Sequence, residues 1–151
     1  MSFEHKKTDL PLYRAIFFDN YSGDVSSYLI PDEDLKTAEE IAPILHPTWE
    51  DNELRKADIK VSEDGLYRPN QGGTSTFDRP NVLRSASGDF VIPVGTPIPP
   101  DLVVQKDNWS KRLKATHYTI MPSKPMNKGY LKAQLDNFVR SAIAKHYEDA
   151  R

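Results

Sequence analysis

Leu131, Leu135, Phe138, Val139, Ala142 and Ile143 fall at i, i+4, i+7, i+8, i+11 and i+12, which is one face of an α-helix. The periodicity predicts a long closing helix that begins at Asn127 or shortly after and turns this stripe to a core. Upstream, the chain reads differently. Short runs of β-branched and aromatic residues are punctuated by glycine and proline, as strands are. Leu10 to Phe18 reads as a strand entered at Pro11, and Ala115 to Met121 as another, stopped by Pro122. Brief strands are expected at Ile59–Val61, Leu66–Arg68, Val82–Arg84, Asp89–Ile92 and Leu102–Gln105, with Val82–Arg84 and Asp89–Ile92 paired around Ser87-Gly88. Prolines 97, 99 and 100 exclude regular structure just before residue 102. Pro31 to Ala42 reads as a second helix, capped by Asp32 and ended by Pro43. Ser22 to Leu29 is a turn or short helix, and so is Asp107 to Lys114, while His46 to Ala57 is a polar loop. The fold class is therefore α+β over 1–151 as one domain, with helices near both ends and short strands between.

Two features carry chemistry. Arg14 shares a predicted strand face with Leu12 and Ile16, so a cation stands inside an otherwise apolar run. Desolvating a guanidinium costs several kcal/mol unless an anion or hydrogen-bond acceptors meet it. Either a buried structural pair or a clamp for a carboxylate or phosphate satisfies that demand. The second feature is the stretch from Gly65 to Asp78, which holds Gly72 and Gly73, the hydroxyl row Thr74, Ser75 and Thr76, and the aromatics Tyr67 and Phe77. Adjacent glycines let backbone approach another object closely. Hydroxyls and aromatic faces suit a sugar, a phosphate or a flat base. A polar hairpin turn leading into a strand is the plainer reading, and both stay open at this level.

Charge is divided unevenly. Residues 1–105 carry 10 cationic against 18 anionic side chains, a balance of −8, whereas residues 106–151 carry 10 against 4, a balance of +6. The basic third, interleaved with Trp109, Tyr118, Tyr130 and Tyr147, either complements the acidic remainder or faces an anionic partner such as RNA or an acidic protein. No cysteine is present, so no disulfide forms and the chain suits a reducing compartment. No apolar run approaches the roughly 18 residues of a membrane span. The N-terminus has no signal-peptide pattern, so the expectation is a cytoplasmic protein, exported if at all by a route that reads no such signal. His5, His46, His117 and His146 show no metal-ligand spacing, and no metal is expected. No P-loop or GxGxxG follows a strand, and no nucleophile-elbow pattern supports a triad from Ser75 and His117.

Long ordered segments then point to a family. LYRAIF at 12–17, APILHP at 42–47, DGLYRPNQGGTSTFDRPNVLR at 64–84, GDFVIPVGTPIPPDL at 88–102, KRLKATHYTIMPSKPM at 111–126 and LDNFVRSAI at 135–143 together span nearly the whole chain. In these the chain resembles cytoplasm-acting effector toxins of the type VI secretion system with a mono-ADP-ribosyltransferase-like fold. The resemblance implies a split antiparallel β core, NAD as substrate, and transfer of ADP-ribose to a macromolecular target, protein or RNA. It gives Arg14 the role of the basic residue on the first core strand, anchoring a phosphate or ribose of NAD. Thr74, Ser75 and Thr76 match the hydroxyl-rich strand that fixes the nicotinamide ribose, with Gly73 beside them, and Tyr67 or Phe77 stacks on the nicotinamide. The late-strand glutamate usual in such enzymes is absent. ATHYTIMP places His117 there, to orient the ribose or activate the acceptor, with Asp78 or Asp89 as sources of the missing charge. Arg14, Ser75 and His117 are thus the expected catalytic set. The resemblance also implies a cognate immunity protein, and action in the cytoplasm of a target cell after secretion from the producer's. Hydrolysis of NAD in the same pocket, or a non-catalytic effector acting through the basic C-terminal third, are the alternatives.

Overall fold

The computed structural model describes residues 7–17, 43–53, 55–86 and 88–151. The helix expected over 31–42 and the turn or helix over 22–29 lie outside the described residues. Within them run β1 (Leu12–Ile16), β2 (Ile59–Val61), β3 (Tyr67–Gly72), β4 (Thr74–Phe77), β5 (Gly88–Ile92), β6 (Leu102–Ser110), β7 (Ala115–Pro122) and α1 (Lys128–Ala150). Five strands lie side by side in the order β5-β1-β4-β7-β6, all antiparallel, and β2 pairs with β3 in a separate two-stranded sheet. Sheet plus closing helix is the α+β architecture expected.

Register decides which side chains share a face, because successive residues of a strand point to opposite sides. Arg14 opposes Phe90, Leu12 opposes Ile92, Thr76 opposes Tyr118, and Thr74 opposes Ile120. These residues, with Ile16 and Val104, form the inner face. Its apolar members join Leu131, Leu135, Phe138, Val139, Ala142 and Ile143 of α1 in one buried cluster. The helical stripe is therefore core, as its spacing requires. Asn127 caps the helix by accepting the Tyr130 amide N–H at 2.8 Å. The outer face carries Tyr13, Ser75, Phe77, His117, Thr119 and Gln105, paired as Tyr13 with Phe77, Phe77 with His117, and Ser75 with Thr119.

Two expected elements differ. Val82–Arg84 is not a strand, and β5 pairs along the length of β1 instead. The segment before β5 curls because Asn81 takes a left-handed φ of 60° and its amide is held by the Asp89 carboxylate at 2.9 Å. A bond from the Ala86 amide to the Leu83 carbonyl, 3.1 Å, closes the turn. Likewise Asp107–Ser110 continues β6 rather than turning or coiling, and the turn comes at 111–114. A register shift between Lys106 and Trp109 accommodates the extra residue. Asp107 is tied across to β7 by His117 and Thr119, which holds the segment extended.

Gly72, at φ 96°, and Gly73 carry the chain from the small sheet into the large one. A Cβ at Gly72 would meet the Asp58 carbonyl oxygen at 2.1 Å, and one at Gly73 the Ile120 carbonyl oxygen at 2.1 Å. The close approach that this diglycine permits is thus made to the protein's own backbone. Gly73→Ala is expected to destabilise the fold by about 2–3 kcal/mol, the upper part of the range for overpacking a filled site. Its thermal midpoint should fall by roughly 4–12 °C for a chain of this size. Gly129→Ala, whose methyl would meet only Asn127 Oδ1 at 3.6 Å, should leave the midpoint level or raise it, as circular-dichroism melts will distinguish.

Candidate functional site

β1 and β4 pair at one position, Tyr13 with Phe77. Continued ladder would set Ala15 opposite Ser75, but the strands part there. The Arg14 guanidinium bridges the gap. Its Nη1 donates to the Ser75 carbonyl at 3.0 Å, Nε to the Ile44 carbonyl at 3.3 Å, and Nη2 to the His46 carbonyl at 3.2 Å. One planar cation thereby fastens β1, β4 and the 43–49 loop to each other. Carbonyl dipoles offset part of its desolvation, a task for which the five-donor fork of arginine is suited.

The parted strands and the loop enclose a hollow of about 570 Å³. Arg14, Ala15, Phe17, His46, Trp49, Arg55, Ser75, Phe77 and Leu83 are among its lining residues. Cationic, aromatic and hydroxyl groups therefore converge on a space within the size range of small-molecule sites. The loop wall is well anchored. Ile44 and Leu45 are fully buried, and Thr74 Oγ1 donates to the Leu45 carbonyl. His46 Nε2 lies 2.8 Å from Asp136 Oδ1 on α1, both side chains being largely buried. The Thr48 amide donates to Asp58 Oδ2 at 2.7 Å. Trp49 stands edge-on to Tyr67 at 5.4 Å, with the Lys128 and Lys132 ammonium groups 5.1 and 5.8 Å from its ring centre.

The expected site residues divide. Arg14, Ser75 and Phe77 border the hollow together. Thr74 and Thr76 face inward, fully buried, and Thr76 Oγ1 donates to the Tyr118 carbonyl at 3.1 Å, so of the hydroxyl row only Ser75 is turned outward. Ser75 Oγ makes no hydrogen bond among the described residues. Gly73 lies against β7. Tyr67 is buried behind Trp49 and is not part of the lining. Burial, and secondarily the charge of Glu50, raises its phenol above the ordinary value, which keeps it protonated. His117 stands one strand beyond Phe77, ring to ring at 5.4 Å, with Nδ1 2.7 Å from Asp107 Oδ2. Asp78 and Asp89 are committed elsewhere, to the amides of Thr116 and Asn81, each at 2.9 Å.

Trp49, the His46–Asp136 pair and Asp107 were not among the expected residues. A carboxylate beside Leu135 on the apolar stripe is a signal for the second, since a buried acid demands a partner. Trp49 is an aromatic in an otherwise polar loop, a weaker signal. Among the described residues no cluster of three His, Cys, Asp or Glu side chains could hold a metal, and no helix is long and apolar enough to cross a membrane.

A family model described as Tse2 ADP-ribosyltransferase toxin matches residues 12–147. The chain is also similar to Toxin Tse2 of Pseudomonas aeruginosa strain PAO1, with 57% identity over 156 aligned positions that span 100% of this chain and 99% of that protein.

Arg14→Lys keeps the charge but loses the planar fork, leaving at least one of the Ile44, His46 and Ser75 carbonyls unmatched. The expected loss is about 2–3 kcal/mol in denaturant unfolding, the scale for a hydrogen bond to a charged group. Equal stability of the two proteins would show that the three-carbonyl hub does not hold the site.

Proposed function

The chain belongs to the Tse2 ADP-ribosyltransferase toxin family, and from that premise we propose that it takes NAD into the hollow between β1, β4 and the 43–49 loop and transfers the ADP-ribose to a macromolecule of the cell it enters. One observation carries this reading: Arg14, Trp49, Ser75 and Phe77 border a single space of about 570 Å³ opened by the parting of two core strands. The residues fit the donor's chemistry. Arg14 supplies positive charge toward the anionic diphosphate. The nicotinamide is a flat cation, and the rings of Phe77 and Trp49 offer it π faces. Tyr67 supports Trp49 edge-on instead of stacking on the ligand itself. Ser75 Oγ takes the hydroxyls of the nicotinamide ribose, while Gly73 and Thr74 fix the strand that presents it.

Breaking the bond between ribose and nicotinamide builds positive charge on the sugar, and the enclosing walls keep water from that centre until the acceptor arrives. The reaction serves a toxin delivered by the type VI route into the cytoplasm of a target cell. A cognate immunity protein silences it in the producer's own cytoplasm.

Incubation of the toxin with NAD labelled in its adenylate half, in total cell lysate, tests the reading. Labelled macromolecule together with free nicotinamide is expected. Ser75→Ala and Phe77→Ala should each lower both by about 10- to 100-fold at little cost in thermal stability, each factor of ten being about 1.4 kcal/mol of transition-state stabilisation. Nicotinamide released with no labelled macromolecule would make the chain an NAD glycohydrolase. No nicotinamide at all would remove NAD from the account.

A further inference from the structure

The hollow leaves one built group of side chains unused. Asp107, on the bulged part of β6, receives three side-chain donors. Gln105 Nε2 donates to Oδ1 at 3.2 Å, while His117 Nδ1, at 2.7 Å, and Thr119 Oγ1 both meet Oδ2. The carboxylate is fixed from its own strand and from β7. Its fixed oxygen then fixes the imidazole, because an ionised carboxylate only accepts and so selects the ring form with hydrogen on Nδ1. The lone pair of neutral His117 is thereby left on Nε2. The side chain of His117 is 31% exposed and that of Asp107 is 24% exposed, enough to meet a ligand from the outer face.

This cluster is continuous with the proposed NAD site. Phe77 opposes His117 and Ser75 opposes Thr119, so all four side chains share the outer face of adjacent strands. Directly opposed side chains of this kind have Cβ atoms about 4.5–5.5 Å apart. His117 does not line the hollow itself; it stands next to it on the same outer face, with the ring of Phe77 between them.

We infer that Asp107 and His117 are the acceptor-activating pair of this enzyme, with His117 Nε2 the general base, Asp107 its positioning residue, and a neutral hydroxyl group the class of acceptor they serve. The inference rests on the NAD reading above. A carboxylate acceptor carries no proton to lose, and a guanidinium holds its proton too tightly for an imidazole to remove. A hydroxyl must shed its proton as it bonds, and the free lone pair on the ring nitrogen of a neutral imidazole can take it. In the step, the bond between ribose C1′ and the nicotinamide nitrogen breaks. Its electron pair stays on the ring, which leaves as neutral nicotinamide. A lone pair of the acceptor oxygen forms the new C1′–O bond, and the hydroxyl proton passes to His117 Nε2. The imidazolium is held by Asp107 and later returns the proton to solvent. No oxidation or reduction takes place.

The test uses the full-length toxin and the labelled-NAD assay, with NAD affinity measured alongside. Asp107→Asn, near in shape, is expected to reduce transfer by about 100-fold, the lower end of general-base contributions, with NAD affinity unchanged. His117→Ala should lose as much and be partly rescued by added imidazole, and the double variant should lose no more than either single one. Nitrogen NMR of the unliganded protein should show His117 protonated on Nδ1 when neutral, and Asp107→Asn should shift that preference. A pair that merely staples β6 to β7 would lower the melting temperature in both variants, leave transfer within threefold, and show no imidazole rescue, which would overturn the inference while leaving NAD use intact. A wild-type chain that neither binds NAD nor releases nicotinamide would overturn both.

Discussion

A single guanidinium between two strands is the constraint from which the rest of the site follows. Antiparallel strands joined at Tyr13 and Phe77 would ordinarily zip on to Ala15 and Ser75. The Arg14 side chain instead accounts for the Ser75 carbonyl, and it reaches two further carbonyls on the 43–49 loop. Strands that part inside a sheet would leave polar backbone groups without partners, and each buried one is costly. Arginine resolves that cost at the place where the hollow begins. The same cation then faces the space it has opened. The fold and the proposed NAD site thus draw on one residue.

Parity along the strands does the next part of the work. On β4, Thr74 and Thr76 turn to the core and spend their hydroxyls on carbonyls, whereas Ser75 and Phe77 turn to the open face. On β7, Tyr118 and Ile120 are buried, and His117 looks outward with Thr119 beside it. A shift of one residue in either strand would exchange the two sets and erase the site. Gly72 and Gly73 pin this register, since β4 enters against the Ile120 carbonyl at a distance no side chain tolerates. Behind the loop, His46 and Asp136 tie the wall of the hollow to the closing helix. The site is therefore built on strands and a helix, and its loop wall is fastened to both.

Much of this was legible in the residues. The α1 stripe, the strand beginning at Leu12, the TSTF strand and the ATHYTIMP strand all lie where their patterns put them, because hydrophobic period and β-branched content are local properties. Arg14 announced itself as a cation in an apolar run, although the sequence could not tell whether an anion or backbone carbonyls would meet it. What escaped notice depends on the third dimension. Val82–Arg84 has strand composition, yet the Asn81 turn and the Asp89 carboxylate curl it. Asp107 looks like a turn residue until the partner across the sheet is known. Trp49 lies in a segment that reads as polar loop, and only the folded chain brings it into the lining of the same hollow as Phe77. Tyr67 and Phe77 are equivalent aromatics in the sequence, and what separates them is that Phe77 lines the hollow while Tyr67 packs against Trp49 outside it.

Fluorescence offers the most direct measurement of where the dinucleotide goes. Trp49 lines the hollow, while Trp109 is 60% exposed on the far edge strand, and the chain has 2 tryptophans in all. Replacing Trp109 with Phe leaves emission that reports on the hollow alone. Saturable quenching of that variant by NAD, weakened by Phe77→Ala, is the expected result. Quenching that appears only when Trp49 is replaced and Trp109 retained, or NAD turnover with no change in Trp49 emission, would contradict the assignment of the hollow as the NAD site.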